Sequence, residues 1–294
     1  MSGTSGLHIV RTGEPHLRQV FSLIDDENWG WEFAEIQTIY RMDPESSIVA
    51  LDGNEVVGLV TCVNYGSLAA IVHVIVKKGW RMKGVGAKMI ERVLADLDSR
   101  GVKSVELDAE PKAIEFYSPF SFKRMETVSY FVRPPTDDAT ETEGVASGAF
   151  SWLSPSDTPA MAKTVSSAMG YDEEDLRRVL ARNPPNHALS SVAEGRLNNL
   201  LVSRIGRDVH SIGPWIMETP AKDDAERMMR ALLSRVPGKR ADVLSPSSNE
   251  VARAALDACG FKMARSGIVR LVRSSGHMPL LPDSVLCIGH VSLI

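Results

Sequence analysis

A basic turn that contains two glycines carries the strongest chemical signal in the chain. The apolar run Ile71–Val76 precedes it, and the turn itself reads Arg81-Met82-Lys83-Gly84-Val85-Gly86-Ala87. Apolar residues then recur at helical spacing: Met89, Ile90, Val93, Leu94 and Leu97. A helix N-terminus offers unpaired N–H groups and a partial positive charge, and glycines allow a ligand to approach the backbone. With Arg81, Lys83 and Lys88 nearby, the pattern predicts a phosphate-binding site.

Two better-known phosphate motifs do not fit this turn. The Rossmann pattern requires a third glycine where Met89 stands, and a Walker A motif that starts at Gly79 requires lysine where Val85 stands. The remaining pattern, Arg-x-x-Gly-x-Gly after a strand, resembles the acetyl-coenzyme A pyrophosphate loop of the GCN5-related N-acetyltransferase (GNAT) superfamily. The resemblance implies that acetyl-CoA is the co-substrate and that its diphosphate binds the loop. The positions implied in coenzyme binding are Val74, Val76, Arg81, Met82, Lys83, Gly84, Val85, Gly86 and Ala87.

A second motif lies downstream, in the segment from Ala113 to Phe122. It resembles the GNAT segment in which an alanine, a tyrosine and a Gly-Phe pair follow one another, with Ser121 in place of the glycine. The resemblance covers residues 7–132 and implies that Tyr117 is the general acid near the coenzyme sulfur. A phenol titrates near ~10 and a thiol near ~8.5, so direct transfer of a proton from tyrosine to thiolate is uphill by about 2 kcal/mol. We therefore expect Tyr117 to hydrogen-bond the developing charge on sulfur and to relay a proton from the amine.

The same resemblance implies how the coenzyme lies in the sheet. The strand 71–76 is expected to splay from the strand 104–109, with the pantetheine arm in the gap. A backbone N–H near the end of strand 71–76 would stabilise the oxyanion that forms when an amine attacks the thioester.

The acceptor side offers candidates but no clear general base. Trp29, Trp31 and Tyr65 are candidates for contact with the substrate, and core packing is the alternative for each. Strand alternation places His73 on the face opposite Val72, Val74 and Val76, which argues against His73 as the base. Glu32 and Glu35 stand near the expected acceptor region, but solvated helix charges explain them equally well.

Composition limits the class of protein. The chain has 294 residues, 44% hydrophobic and 24% charged, which is typical of a soluble globular protein. The net charge of −4 does not suggest a nucleic-acid partner, and no apolar run is long enough for a membrane span. Three cysteines make no disulfide framework, which favours a reducing, cytoplasmic location. Cys287-x-x-His290 has half of a zinc spacing, and we expect no metal site.

The chain is expected to form an α/β fold with a mixed sheet, arranged as two tandem GNAT-like domains. The segment 134–148 is acidic and poor in bulky apolar residues, and it predicts a linker between a catalytic domain, 1–133, and a second domain, 149–294. Strand and helix patterns recur in the same order in both halves. Val76 lies 46 positions before Phe122, and Ile216 lies 45 positions before Phe261, which indicates a repeat.

The second copy is expected to be degenerate. Leu256 stands where the first copy has Tyr117, and Glu218 and Pro220 stand in the segment that replaces the glycine-bearing turn. This half resembles the degenerate C-terminal domain of a subset of GNAT proteins, and we expect it to complete the acceptor cleft or to stabilise the fold. The apolar tail from Leu280 to Ile294 is expected to dock as a strand.

The leading hypothesis is an N-acetyltransferase that moves the acetyl group from acetyl-CoA to an amine. We expect direct attack within a ternary complex and a small molecule as the acceptor. Two alternatives stay open: a non-catalytic CoA-binding or scaffold protein on the same fold, and a protein lysine or N-terminal acetyltransferase. The oligomeric state is not indicated.

Overall fold

The chain divides into two compact units. The computed structural model describes residues 6–29, 31–136, 149–193, 196–206, 209–236, 238–274 and 281–288. Unit 1 comprises Met1–Leu107, Glu115–Lys123 and Val272–Gly276, and unit 2 comprises Asp108–Ile114, Arg124–Leu271 and His277–Ile294. Most of the predicted linker, residues 137–148, lies outside the described residues.

The first half of the chain alternates strands and helices. In chain order its elements are β1 (Leu7–Arg11), α1 (Leu17–Asp25), α2 (Phe33–Met42), β2 (Ile48–Asp52), β3 (Glu55–Asn64), β4 (Leu68–Val76), α3 (Val85–Ser99), β5 (Ser104–Ala109), α4 (Ile114–Tyr117) and β6 (Lys123–Arg133). Strands β1 to β4 form an antiparallel meander, and β5 pairs parallel with β4. The strands expected at 71–76 and 104–109 and the helix expected from the pattern at Met89 to Leu97 are present in β4, β5 and α3.

The core of unit 1 is built by helices α1 and α2 against the sheet. Helix α1 presents one apolar face because Val20, Leu23 and Ile24 recur at helical spacing. These residues pack with Ile36 of α2 and with buried strand residues: Val49, Val56, Leu59 and Ile75. The packing leaves the other face of β4 to line the site described below.

Strand β4 changes its pairing along its length. Thr61 pairs with His73 and Cys62 pairs with Ile71, so Val72 is an extra residue and forms a β-bulge. On the other edge, the described parallel pairing of β4 with β5 ends at Ala70 and Glu106. The last six residues of β4, 71–76, thus continue beyond that ladder. This is the separation of strands 71–76 and 104–109 that the resemblance implied.

The second half repeats the element order of the first. After β6 come β7 (Ser151–Trp152), α5 (Thr158–Met169), α6 (Glu173–Arg182), β8 (His187–Ala193), β9 (Arg196–Ile205), β10 (Val209–Met217), α7 (Lys222–Leu233), β11 (Arg240–Pro246), α8 (Glu250–Ala258), β12 (Lys262–Ser274) and β13 (Val285–Cys287). The sequence from β7 to β12 follows the same pattern of strands and helices as that from β1 to β6. The mixed α/β fold with two tandem copies is therefore confirmed.

Unit 2 is organised around a continuous run of paired strands. Its strands run in the order β12-β6-β11-β10-β9-β8-β7, with β13 against β10. Strand β6, from the first half of the sequence, pairs antiparallel with β11 of the second. Helices α7 and α8 cover one face, where Trp215, Met228 and Phe261 are fully buried. No helix in the described part of the chain has the length and apolar character that a membrane crossing requires.

A buried ion pair stabilises unit 2. Arg270 is 1% exposed. Its guanidinium donates from Nε and Nη2 to the two carboxylate oxygens of Asp108 at 2.9 and 3.0 Å. Removing one partner of a buried pair leaves an uncompensated charge and is strongly destabilising. The bidentate pair Arg273–Asp98 of unit 1 has similar geometry but lies at the surface.

We predict that Asp108→Asn lowers the free energy of unfolding by about 3 kcal/mol, because the buried guanidinium of Arg270 then loses the carboxylate that accepts from its Nε and Nη2. The matched control Asp98→Asn removes the exposed pair and should cost less than about 1 kcal/mol. Urea titrations followed by far-UV circular dichroism measure both. Equal losses in the two variants would show that the burial of Arg270 does not matter.

Candidate active site

The turn before α3 presents a continuous run of backbone donors. The amide of Arg81 donates to Lys78 O at 3.3 Å, and the amide of Lys88 donates to Gly84 O at 3.1 Å. Between them, the six amides from Met82 to Ala87 donate to no acceptor among the described residues. Unpaired N–H groups at a helix start attract anions. This run is the feature that the glycine-bearing turn predicted.

Backbone conformation explains why these amides stay unpaired. Met82 and Gly84 have φ values of 59° and 78°, in the left-handed region. Gly84 is the N-cap of α3 and has no side chain that could accept from the first turn. Alternation of left- and right-handed residues produces concave backbone surfaces that bind anions. Glycine at position 84 therefore both permits the turn and leaves its donors exposed.

The cations predicted around the turn are present, but Arg81 is already engaged. Its Nε donates to Val76 O at 2.7 Å, and its Nη2 bonds the carboxylate of Glu27. Lys83 Nζ lies 5.0 Å from the centre of the Trp80 ring, and Lys88 is exposed. The Met82 side chain is fully exposed. An incoming phosphate would thus compete with Glu27 for Arg81.

Gly86 is the point where three elements converge. A Cβ at this position would lie 3.3 Å from the Phe116 ring of α4 and 3.5 Å from Val76 Cγ2 of β4. A contact of 3.3 Å is tight, so a side chain at position 86 would require the Phe116 ring to move by a few tenths of an ångström. The absence of a side chain places the unpaired amides beside the residue that precedes Tyr117.

Tyr117 is held by aromatic packing. It is 7% exposed, and its ring lies 4.9 Å from Phe116 and 5.8 Å from Phe122, edge to face in both cases. Burial raises the pKa of the Tyr117 phenol above its usual value of 10.0. Its hydroxyl has no hydrogen-bond partner among the described residues. The phenol is therefore protonated at neutral pH, so it can donate a hydrogen bond but does not act as a base.

Ser121 replaces the glycine of the resembled motif without changing the turn. Its φ of 64° lies in the left-handed region where glycine is favoured. The residue follows a single 3₁₀ turn and is exposed. The conformation is thus the one that glycine would adopt, and Phe122 still packs against Tyr117.

The two faces of β4 have different roles. Val74 and Val76, the positions expected to contact the pantetheine arm, are half-buried. His73 lies on the opposite face and is 1% exposed, as strand alternation predicted. Its Nδ1 is 2.7 Å from Thr61 Oγ1. This contact and the burial of the ring make His73 a packed residue of the core side.

Trp29 and Trp31 enclose His73. The Trp29 ring stacks on it at 5.8 Å with an interplanar angle of 14°, and Trp31 meets it edge-on at 4.5 Å. Both indoles are half-buried and pack against the core of unit 1. Both interpretations of these tryptophans, core packing and substrate wall, stay open, because each residue packs against the core and is only partly buried.

The remaining acceptor candidates have local structural roles. Tyr65 is buried, and its amide donates to Leu68 O at 2.7 Å across the β3–β4 turn. The Glu35 carboxylate accepts from the Glu32 amide at 2.7 Å, which caps α2. These contacts assign Glu35 to helix capping. Sequence reasoning missed Glu27, since no spacing rule in a single sequence pairs position 27 with position 81.

The described residues contain no group of three or more metal-ligating side chains. Cys287 is buried, and its Sγ lies 3.1 Å from Ile212 O. His290 lies outside the described residues. Cys62 and Cys259 are buried thiols, and burial raises the pKa of both, that of Cys259 to about 11.

Comparison with known proteins identifies the first half. Residues 16–122 match the model of the acetyltransferase (GNAT) family. The chain carries a GNAT-family domain. The matched range contains β4, the amide run, α3 and Tyr117. No curated protein matches the chain.

Solved structures support the tandem GNAT fold. A candidate acetyltransferase from Pyrococcus horikoshii is 19% identical, with a TM-score of 0.76 over 100% of this chain and 98% of that one. A GCN5-related N-acetyltransferase from Sphaerobacter thermophilus is 12% identical, with a TM-score of 0.66 over 94% and 98%. A tandem GNAT protein from the clavulanic acid biosynthesis pathway is 12% identical, with a TM-score of 0.62 over 93% and 100%. At these identities the likeness concerns the fold.

We predict that Arg81→Ala weakens the binding of coenzyme A by about 10- to 100-fold, because a charge-assisted hydrogen bond to phosphate is lost. Glu27→Gln should bind at least as tightly as the wild type, since Arg81 is then released from its competitor. Isothermal titration calorimetry measures both dissociation constants. Arg92→Ala, an exposed cation two turns into α3, is the control. If Arg81→Ala binds coenzyme A as tightly as the wild type, Arg81 does not contact the phosphates.

Proposed function

We propose that the GNAT domain is an acetyl-CoA-dependent N-acetyltransferase that acetylates the amine of a small molecule. The observation that carries the proposal is the run of six amides from Met82 to Ala87 that find no acceptor in the part of the chain that the structure describes. The run lies beside the α4 turn that bears Tyr117. A phosphate-binding surface next to a buried phenol suits a coenzyme with a diphosphate and a thioester sulfur.

The loop would hold the coenzyme by its charged end. The amides of residues 82–87 would donate to the diphosphate oxygens, with Arg81, Lys83 and Lys88 supplying positive charge. The pantetheine arm would follow the half-buried side of β4 past Val76 and Val74. The thioester would then come to rest where β4 continues beyond its ladder with β5.

The reaction would need no covalent enzyme intermediate. The lone pair of the neutral amine attacks the thioester carbonyl carbon, and the carbonyl oxygen becomes an oxyanion. A backbone N–H of β4 near the bulge at Val72 would donate to that oxyanion. Collapse of the intermediate breaks the C–S bond, the amine nitrogen loses one proton, and the sulfur gains one.

Tyr117 would act on the leaving group. Its phenol keeps its proton at neutral pH because burial raises its pKa. A neutral phenol stabilises charge on the departing sulfur by donating a hydrogen bond. Net transfer then requires that the proton lost by the amine replaces the one that Tyr117 gives up, so Tyr117 serves as a relay.

The acceptor would lie against the aromatic residues of the first helical pair. Trp29 and Trp31 are each only partly buried, and an indole face attracts a cationic or polarised amine. Tyr65, which is buried, would contribute to the wall behind them. A wall of aromatic rings would suit a compact amine.

We predict that Tyr117→Phe lowers kcat for acetyl transfer by about 100-fold or more and changes the dissociation constant of acetyl-CoA less than about threefold. Thiol release with a panel of small amines measures the turnover. The matched control is Tyr130→Phe, which removes another buried phenol whose hydroxyl donates to Asp242 at 2.9 Å in unit 2. The control should keep the wild-type kcat.

The outcomes separate the alternatives. If the wild type binds acetyl-CoA but releases thiol at the background rate with every small amine and with lysine and N-terminal peptides, the domain is a non-catalytic CoA-binding module. Turnover confined to the peptides would identify a protein acetyltransferase. Equal kcat in Tyr117→Phe and the wild type would show that the Tyr117 hydroxyl takes no part in acetyl transfer.

A further inference from the structure

The second repeat has a gap between two parallel strands, and the chain itself fills it. Strand β10 pairs parallel with β11 only from Val209–Arg240 to Ile212–Val243. Beyond Ile212, β10 pairs antiparallel with β13, through Trp215–Cys287 and Ile216–Val285. Strand β13 also bonds to β11: the Ile288 amide donates to Leu244 O at 3.0 Å. The segment 284–288 is thus inserted between β10 and β11.

The inserted segment is bound as a ligand would be bound. Val285, Leu286, Cys287 and Ile288 are fully buried, and Leu286 and Cys287 belong to the core of unit 2. Its backbone accepts hydrogen bonds from residues of both neighbouring strands. The Met217 amide donates to Ser284 O at 2.8 Å, and Ser245 Oγ donates to Leu286 O at 2.7 Å.

Asn249 links the segment to α8. Its Oδ1 accepts from the Ala252 amide at 2.9 Å and caps the helix. Its Nδ2 donates to Asp283 O at 3.0 Å and to Val285 O at 3.1 Å. One side chain therefore has two separable functions, since the oxygen serves the helix and the amide nitrogen serves the segment.

The corresponding helix start in unit 2 does not suit phosphate. Asp223 and Asp224 lie in the first turn of α7, whereas the first turn of α3 carries no acid. Pro220 lacks a backbone N–H, and Glu218 adds a further negative charge before the helix. The helix dipole there is already offset by carboxylates.

We infer that the gap between β10 and β11 is a binding site for an extended peptide, and that residues 284–288 of the same chain are its ligand. The segment occupies the position in the second repeat that the pantetheine arm takes in the first, a comparison that rests on the proposed function. Unit 2 is consequently closed to the coenzyme, and the full chain binds one equivalent.

Asn249→Asp in the full chain tests how the segment is held. Aspartate keeps the oxygen that caps α8 but replaces the amide donor with an oxygen that faces two carbonyls. We expect the amides of residues 285–288 to exchange with deuterium about tenfold faster or more, while those of α8 keep their rate. Asp172→Asn, at the N-cap of α6, is the matched control, because its Oδ1 can still accept from Asp175.

Hydrogen exchange tests the peptide site, and calorimetry tests the closure of unit 2. Exchange of residues 285–288 at the same rate in Asn249→Asp and the wild type would overturn the assigned site, as would fast exchange of these amides in the wild type. A stoichiometry of two coenzyme A molecules per wild-type chain would overturn the closure of unit 2. A stoichiometry of zero would instead refute the proposed function, and the exchange result alone would then decide whether the segment is a bound ligand.

Discussion

The proposed diphosphate site depends on six backbone amides, Met82 to Ala87, that have no acceptor among the described residues. A helix normally satisfies its first N–H groups with a capping side chain or with water. Here the N-cap is Gly84, which has no side chain to accept from the first turn, and Met82 and Gly84 both adopt the left-handed conformation. The unpaired state is therefore built into the backbone and does not depend on the position of a long side chain.

A second glycine, Gly86, determines how closely the surrounding elements approach these amides. Because Gly86 has no side chain, the start of α3 approaches both Val76 of β4 and Phe116 of α4. The aromatic contacts of Phe116 and Phe122 then hold the Tyr117 ring. On the other side, Glu27 holds Arg81 at the loop. A small residue thus sets the distance between an anion-binding surface and a buried phenol.

The two repeats differ at the place where the first is proposed to bind the coenzyme. In the first repeat, β4 runs beyond its ladder with β5, and the helix start beyond it carries cations and unpaired amides. In the second, the equivalent gap holds β13, and the helix start carries Asp223 and Asp224. The charge at the helix start is thus positive in the first repeat and negative in the second. The second repeat is also the one in which β13 lies between the two parallel strands.

Much of this could be predicted from the sequence because its signals are local. The glycine-bearing turn, the helix from Val85 and the strand from Ser104 follow from turn chemistry and hydrophobic periodicity. Strands β8 and β9 are harder to predict because polar residues such as Ser190, Asn199 and Ser203 interrupt their apolar pattern, although Ser190 and Ser203 are buried. The docking of β13 was expected, but its partners were not, since pairing over more than 70 positions leaves no local mark. The Glu27–Arg81 contact is of the same kind.

Backbone nuclear magnetic resonance observes the amides of residues 82–87 directly and so tests whether they bind the diphosphate. In a titration of ¹⁵N-labelled protein with coenzyme A, we predict that the largest shifts in the backbone amide signals fall within residues 82–87, with small shifts at the start of α7. Unshifted signals from 82–87 in a protein that binds coenzyme A, or the largest shifts at residues 220–224, would contradict the assigned site.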